Sequence, residues 1–153
     1  MGIEIDKTEF TEEDFLRFSA CLEENLTALC DLLARPGFGE GPGSLGAELE
    51  MYIVDQQGFP LHANTEILAA ANDPTLTLEL NRYNLEYNLP PFNLADNPFA
   101  ATETAIRDSL SRLSQSAAAF GGRIVPIGIL PTLRQSDFGG HCVTDRRRYH
   151  ALV

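Results

Sequence analysis

"SLGAELEMYIVD", residues 44–55, alternates apolar and polar side chains with a period of two. That period puts successive side chains on opposite faces of a β-strand. Leu45, Ala47, Leu49, Met51 and Ile53 share one face; Glu48 and Glu50 share the other, beside Gly46 and Tyr52. The spacing predicts a strand over Leu45–Val54 with one face toward a core. A core has no use for the two glutamates, so the second face carries the question of function.

Two further stretches repeat the pattern. Thr75–Leu80 alternates Leu76, Leu78 and Leu80 against Thr77 and Glu79, and Asn81-Arg82 interrupts it. Tyr83–Leu89 resumes with Tyr83, Leu85, Tyr87 and Leu89 on one face and Glu86 and Asn88 on the other, and Pro90-Pro91 is expected to end it. Before these strands, Thr11–Arg35 carries Phe15, Phe18, Leu22, Leu26, Leu29 and Leu33 at steps of three and four, the mark of a helix with one buried face. Thr11 and Asp14 resemble a capping box, and Pro36-Gly37 stops the helix. A short helix is predicted over Thr65–Ala71. Asn97-Pro98 opens a second long helix with Asn as cap and Pro in first position. Its inner face is expected to hold Phe99, Thr102, Ile106, Leu110, Leu113, Ala117 and Phe120, and Gly121-Gly122 closes it. "RIVPIGIL", residues 123–130, reads as a buried strand with Pro126 as a bulge or edge marker. Asp145 onward looks like the start of another helix. The early strands are too closely spaced for crossovers, so the expected fold is α+β: an antiparallel sheet with long helices packed on one face.

The chain has 153 residues and is 44% hydrophobic, enough for one domain with a core spanning 1–153. The formal charge of −11 disfavours nucleic acid and anionic membranes as partners. No apolar run approaches the roughly 20 residues of a membrane span. The N-terminal "MGIEIDKTEF" lacks the basic and apolar regions of a signal peptide. Cys21 and Cys30 would face opposite sides of their helix, roughly 13 Å apart, too far for a disulfide. Reduced thiols and a cytoplasmic location are expected.

If the strand of Glu48 and Glu50 pairs with that of Glu86 and Asn88, three carboxylates meet on one patch, and Glu79 can join from a strand end. Carboxylates that close raise one another's pKa unless a cation sits among them. Hard divalent ions such as Mg²⁺ take carboxylate oxygens. The competing readings are a solvated sheet face, which alternating Glu also satisfies, and an acid–base pair for glycoside hydrolysis.

"GAELEMYIVD", "LELNRYNLEYNLPP" and "GGRIVPIGILPTL", in that order, resemble the glutamate–cysteine ligase family of ATP-dependent carboxylate–amine ligases, in its bacterial branch. The G-x-E-x-E strand matches at Glu48 and Glu50. The acidic residue seven positions before the Glu of the next strand matches at Glu79 and Glu86. "RRRYHAL" resembles the family's R-Y-x-x-L segment. The resemblance implies a glutamine-synthetase-like catalytic domain that binds ATP, Mg²⁺ (or Mn²⁺), glutamate and an amine such as cysteine. In such enzymes ATP phosphorylates the γ-carboxylate and the amine displaces phosphate. It implies Glu48, Glu50, Glu79 and Glu86 as metal ligands and Asn88 as a residue that orients ligand or substrate. Arg134, after a strand end, is a substrate-binding candidate. Family enzymes run to several hundred residues, so the chain is expected to be an N-terminal part, inactive alone and prone to form a homodimer. The alternative is a non-catalytic binding or assembly domain that keeps the fold.

Other features point elsewhere. His141-Cys142 lacks any acyl-transfer motif and reads as loop. His62 and His150 are isolated and read as surface or packing residues. Arg146, Arg147 and Arg148 are able to grip phosphate or a carboxylate, but a run at a helix start is more often a solvated face. Gly37–Gly43 is glycine-rich but is no P-loop.

Overall fold

The computed structural model describes residues 3–153. Its elements are α1 (Glu12–Leu33), β1 (Ser44–Val54), α2 (Asn64–Ala71), β2 (Leu76–Leu78), β3 (Asn84–Asn93), α3 (Pro98–Ala118), β4 (Arg123–Val125) and α4 (Arg147–His150). The strands form one antiparallel sheet in the order β2-β3-β1-β4. An α+β fold with an open antiparallel sheet is what the alternation predicted.

One sheet face makes the core. Met51 and Ile53 of β1, Leu76 and Leu78 of β2, and Leu85 and Tyr87 of β3 are buried with Ile67 of α2 and Leu113 and Ala117 of α3. Tyr87 reaches through this layer and its hydroxyl donates to the Ser109 carbonyl at 3.3 Å, tying sheet to helix. Gly122, after α3, packs closely: a Cβ there would lie 3.2 Å from the Ala117 carbonyl oxygen and 3.3 Å from Ile53 Cγ2, so its neighbours would have to give by a few tenths of an ångström.

α1 is a helix as expected, with the Thr11–Asp14 capping box formed in both directions. Its apolar stripe, however, is uncovered. No α1 residue is buried, and Phe15 and Phe18 are 61% and 65% exposed. The packed helices are α2 and α3. Periodicity establishes that a helix is amphipathic; it does not identify what covers the stripe.

Three boundaries also differ from expectation. β3 continues through Pro90-Pro91 to Asn93. Leu45 pairs with Phe92 while Ala47 pairs with Leu89, so the prolines sit in a bulge where no ladder donor is needed. β2 stops at Leu78 because the next backbone is taken by the C-terminal segment. Thr144 N–H donates to the Leu80 carbonyl at 2.8 Å and Arg82 N–H to the Cys142 carbonyl at 2.8 Å. β4 ends at Val125, before Pro126, and residues 126–130 are not strand. β4 is the sheet edge, so Pro126 marks an edge, while Ile129 is 78% exposed rather than buried.

α3 begins at Pro98, but Asn97 has φ 53° and its side chain caps nothing. Asn93 instead accepts from Ala95 N–H, one turn earlier. Leu113 and Ala117 are buried as expected, whereas Phe99 is 75% exposed. Among the described residues no helix is long and apolar enough to cross a membrane.

Candidate functional site

The outer face of the sheet carries the acids. In the β1–β3 register Glu48 lies opposite Asn88, and Glu50 opposite Glu86; on the other side of β3, Thr77 of β2 lies opposite Glu86. Directly opposed residues have Cβ atoms about 5 Å apart, so Glu86 has an acid on one flank and a hydroxyl on the other. Asn88 Nδ2 donates to Glu86 Oε1 at 2.6 Å and to Thr77 Oγ1 at 3.1 Å. Thr77 Oγ1 lies 3.3 Å from the same Glu86 oxygen, in position to donate to it. Asn88 and Thr77 therefore hold the Glu86 carboxylate.

Glu79 extends the β2 parity one step beyond the strand. Its Oε2 accepts from Leu80 N–H at 3.1 Å. Burial, with the negative charges of Glu86 and Glu50, raises its pKa above the ordinary 4.5. Glu48, Thr77, Glu79 and Glu86 line an open cavity of about 280 Å³ together with Leu78, Arg148, Tyr149 and Leu152. Glu50 lies outside that lining, in a separate depression with Tyr52 and Pro126.

The segment carrying Arg148 and Tyr149 is fastened. Thr144 Oγ1 donates to the Glu79 carbonyl at 2.5 Å, and buried Asn64 donates to Thr144 Oγ1 at 2.8 Å. Tyr149 is buried, and its hydroxyl donates to the Leu78 carbonyl at 2.8 Å. The Arg148 guanidinium stacks over the Tyr149 ring at 4.5 Å and donates to its hydroxyl at 2.6 Å.

The donors suit a hard divalent cation, since all are carboxylates and one, Glu79, is held in a charge environment that a cation would relieve. Convergence is incomplete: among the described residues no three acidic, His or Cys side chains form a ready metal-holding group. A cation would have to draw the carboxylates together by side-chain rotation. The raised pKa has a measurable consequence. A folded pKa above the unfolded one means that stability is greatest below pH 4.5 and is lost as pH rises through the folded value. Glu79→Gln is therefore expected to stabilise the metal-free protein at pH 7, and the gain to vanish below pH 4.5. Urea unfolding at the two pH values checks this; an equal effect at both would contradict it.

The remaining sequence candidates fall elsewhere. Arg134 is exposed, with its guanidinium 4.1 Å over the Phe59 ring, and does not line the acidic cavity. Cys142 is buried and its thiol pKa is raised, chiefly by burial, which disfavours a nucleophilic thiolate. Exposed His141 pairs with the Ser136 carbonyl at 3.0 Å. His62 stacks on Tyr83 at 5.6 Å, a packing role. Arg147 donates to the Asp6 carbonyl at 3.0 Å. Cys21 and Cys30 are free and exposed. Sequence reasoning missed Thr77 as a site residue, although its parity with Glu79 in "LTLEL" carries the signal; Arg148-Tyr149 matches the R-Y-x-x-L segment, and that resemblance assigns it no place in the site.

The sequence model of Glutamate-cysteine ligase family 2 matches residues 44–153. No curated protein and no solved structure matches the chain. The matched span begins at the first residue of β1 and holds the whole acidic face and the cavity, with Arg148 and Tyr149; α1 precedes it. With the match covering most of the chain and all of the site, the protein belongs to Glutamate-cysteine ligase family 2.

Proposed function

We propose that the chain forms the acidic wall of an ATP- and Mg²⁺-dependent ligase site. Such a site joins glutamate to an amine such as cysteine through a γ-glutamyl phosphate, in a glutamine-synthetase-like setting. One observation carries this reading: Glu48, Glu50 and Glu86 occupy one sheet face inside the family-matched span, and Glu79, one step beyond β2, has its pKa raised by burial and by the charges of Glu86 and Glu50. These four residues would hold Mg²⁺ or Mn²⁺. When bound, the ion neutralises charge on a transferring phosphoryl group. Asn88 and Thr77 fix the Glu86 carboxylate, and an ion beside Glu79 would offset the charge that its burial and acidic neighbours disfavour. The cytoplasm, where ATP and free thiols coexist, suits this chemistry. The chain supplies one wall, and holding a nucleotide in line with its acceptor takes more than one wall, so binding is the property to test. Calorimetric titration of ADP is expected to show binding that requires Mn²⁺. ADP binding of equal strength in EDTA would sink the reading.

A second reading, an assembly role without catalysis, is favoured by α1. Its exposed stripe is the kind of surface that a second copy covers. Sedimentation velocity is expected to show a concentration-dependent dimer that Leu22→Glu with Leu26→Glu abolishes. Both side chains are about half exposed, so stability should change by only about 0.5 kcal/mol. A monomer at every concentration would end this reading.

A further inference from the structure

α4 is four residues long, Arg147–His150, too short to be held by its own helical bonds. The first N–H groups of a helix need acceptors, which the N-cap side chain usually supplies. Here the N-cap is Arg146, whose side chain carries no acceptor and makes no cap. The acceptor comes instead from 144 residues away: Glu4 Oε1 accepts from Arg148 N–H at 3.1 Å. Two residues on, the Asp6 carbonyl accepts from Arg147 Nη1 at 3.0 Å. Ile5 between them is half-buried, whereas Ile3 before them is 87% exposed. Glu4 also borders a groove of about 250 Å³ with Leu68 of α2 and Leu76 and Leu78 of β2. The segment Glu4–Asp6 is thus fastened to the start of α4, beside the β2 edge of the sheet.

α4 bears on the site because Arg148, Tyr149 and Leu152 share the cavity lining with Glu48, Thr77, Glu79 and Glu86. The Tyr149 hydroxyl anchors the ring to the Leu78 carbonyl, and Thr144 anchors the loop that leads to α4. The contacts to Glu4 and Asp6 anchor the first turn. We propose that Glu4–Asp6 is a strap that holds α4 in register against the acidic cavity, with Glu4 as the positioning residue. The strap stands outside the family-matched span of residues 44–153, so part of the cavity lining is held by a segment that the shared sequence pattern does not include. Its bearing on ligand binding rests on the ligase reading, while its hold on α4 does not.

Amide hydrogen exchange of the full chain, resolved by residue, tests the strap in the wild type, Glu4→Ala, Glu4→Gln and, as a charge control, Glu9→Gln. Glu4→Ala removes the acceptor, so exchange at Arg148, Tyr149 and His150 should speed up about 3- to 30-fold, the loss of a helix cap. Leu85 and Tyr87 in the core should exchange as in wild type. Glu4→Gln keeps an acceptor oxygen at the same reach and should restore most of the protection, and Glu9→Gln should change nothing. Calorimetric titration of ADP in Mn²⁺ gives the second readout. Glu4→Ala should weaken binding about 3- to 10-fold, because α4 is in place in a smaller fraction of molecules, and Glu4→Gln should recover it. Unchanged exchange at α4 in Glu4→Ala overturns the proposal, and so does a rise shared equally by Leu85 and Tyr87. Faster exchange at α4 with unchanged Mn²⁺-dependent ADP affinity overturns the positioning role. Faster exchange at α4 in a protein that binds ADP equally well in EDTA sinks the ligase reading and leaves the strap standing.

Discussion

Glu86→Gln is expected to lower Mn²⁺ affinity by more than about 100-fold. Substituting a residue that only supports a metal ligand typically costs 10- to 100-fold, and removing the charge of a ligand itself should exceed that. Glu86 is the acid with the most support: Glu50 faces it across the β1–β3 ladder, Thr77 across the β2–β3 ladder, and Asn88 holds its oxygen at 2.6 Å. The glutamine keeps shape and hydrogen-bonding capacity while removing one charge. Because Glu86 also raises the pKa of Glu79, the variant should be no less stable than wild type at pH 7 without metal. Weak binding cannot then be blamed on unfolding. Asn88→Ala should fall in the intermediate range, about 10- to 100-fold, because it removes the support and leaves the ligand. Unchanged Mn²⁺ affinity in Glu86→Gln would show that the acids are a solvated face.

Leu85→Ala should carry the largest effect on stability, about 2–5 kcal/mol by urea unfolding. Leu85 is fully buried one residue before Glu86, opposite Met51 on one side and Leu78 on the other. It joins the three strands that hold the acids. Truncation leaves a void between Met51 and Leu78 in the core layer, which close packing does not let the neighbours fill. The loss should appear as a lower midpoint with an unchanged slope. A change below about 1 kcal/mol would mean that the inner face of the sheet is not the core described here. The contrast with Glu86→Gln is sharp: adjacent residues, opposite faces, one substitution costing stability and the other costing affinity.

Much of this was legible in the sequence because strand parity needs only local information. Alternation put Glu48 with Glu50 on one face of their strand and Glu86 with Asn88 on one face of theirs, and the ladder then placed Glu50 opposite Glu86. The seven-residue gap from Glu79 to Glu86 became a short hairpin that returns both to one cavity. What escaped was nonlocal. The Phe15–Leu33 stripe announced an amphipathic helix, but nothing within a helix reports whether another element covers it. The end of β2 was set by Thr144 and Cys142, some sixty residues on, competing for its backbone. The R-Y-x-x-L resemblance picked Arg148-Tyr149 out of the arginine run, but its place beside the acids, with Tyr149 buried, comes only from the fold. Arg134 looked useful because a strand was expected to lead to it, and that strand ends at Val125. Pro90-Pro91 looked terminal because a bulge is a property of two strands and cannot be read from one.

The central claim is that the outer face of this sheet gathers a divalent cation. Paramagnetic broadening of assigned amide resonances by substoichiometric Mn²⁺ tests it most directly. Broadening is expected to centre on Glu48, Thr77, Glu79 and Glu86, to reach Glu50 and Arg148, and to leave α1 untouched. Broadening spread evenly over surface acids, with Glu12, Glu13, Glu23 and Glu24 of α1 as affected as Glu86, would contradict it.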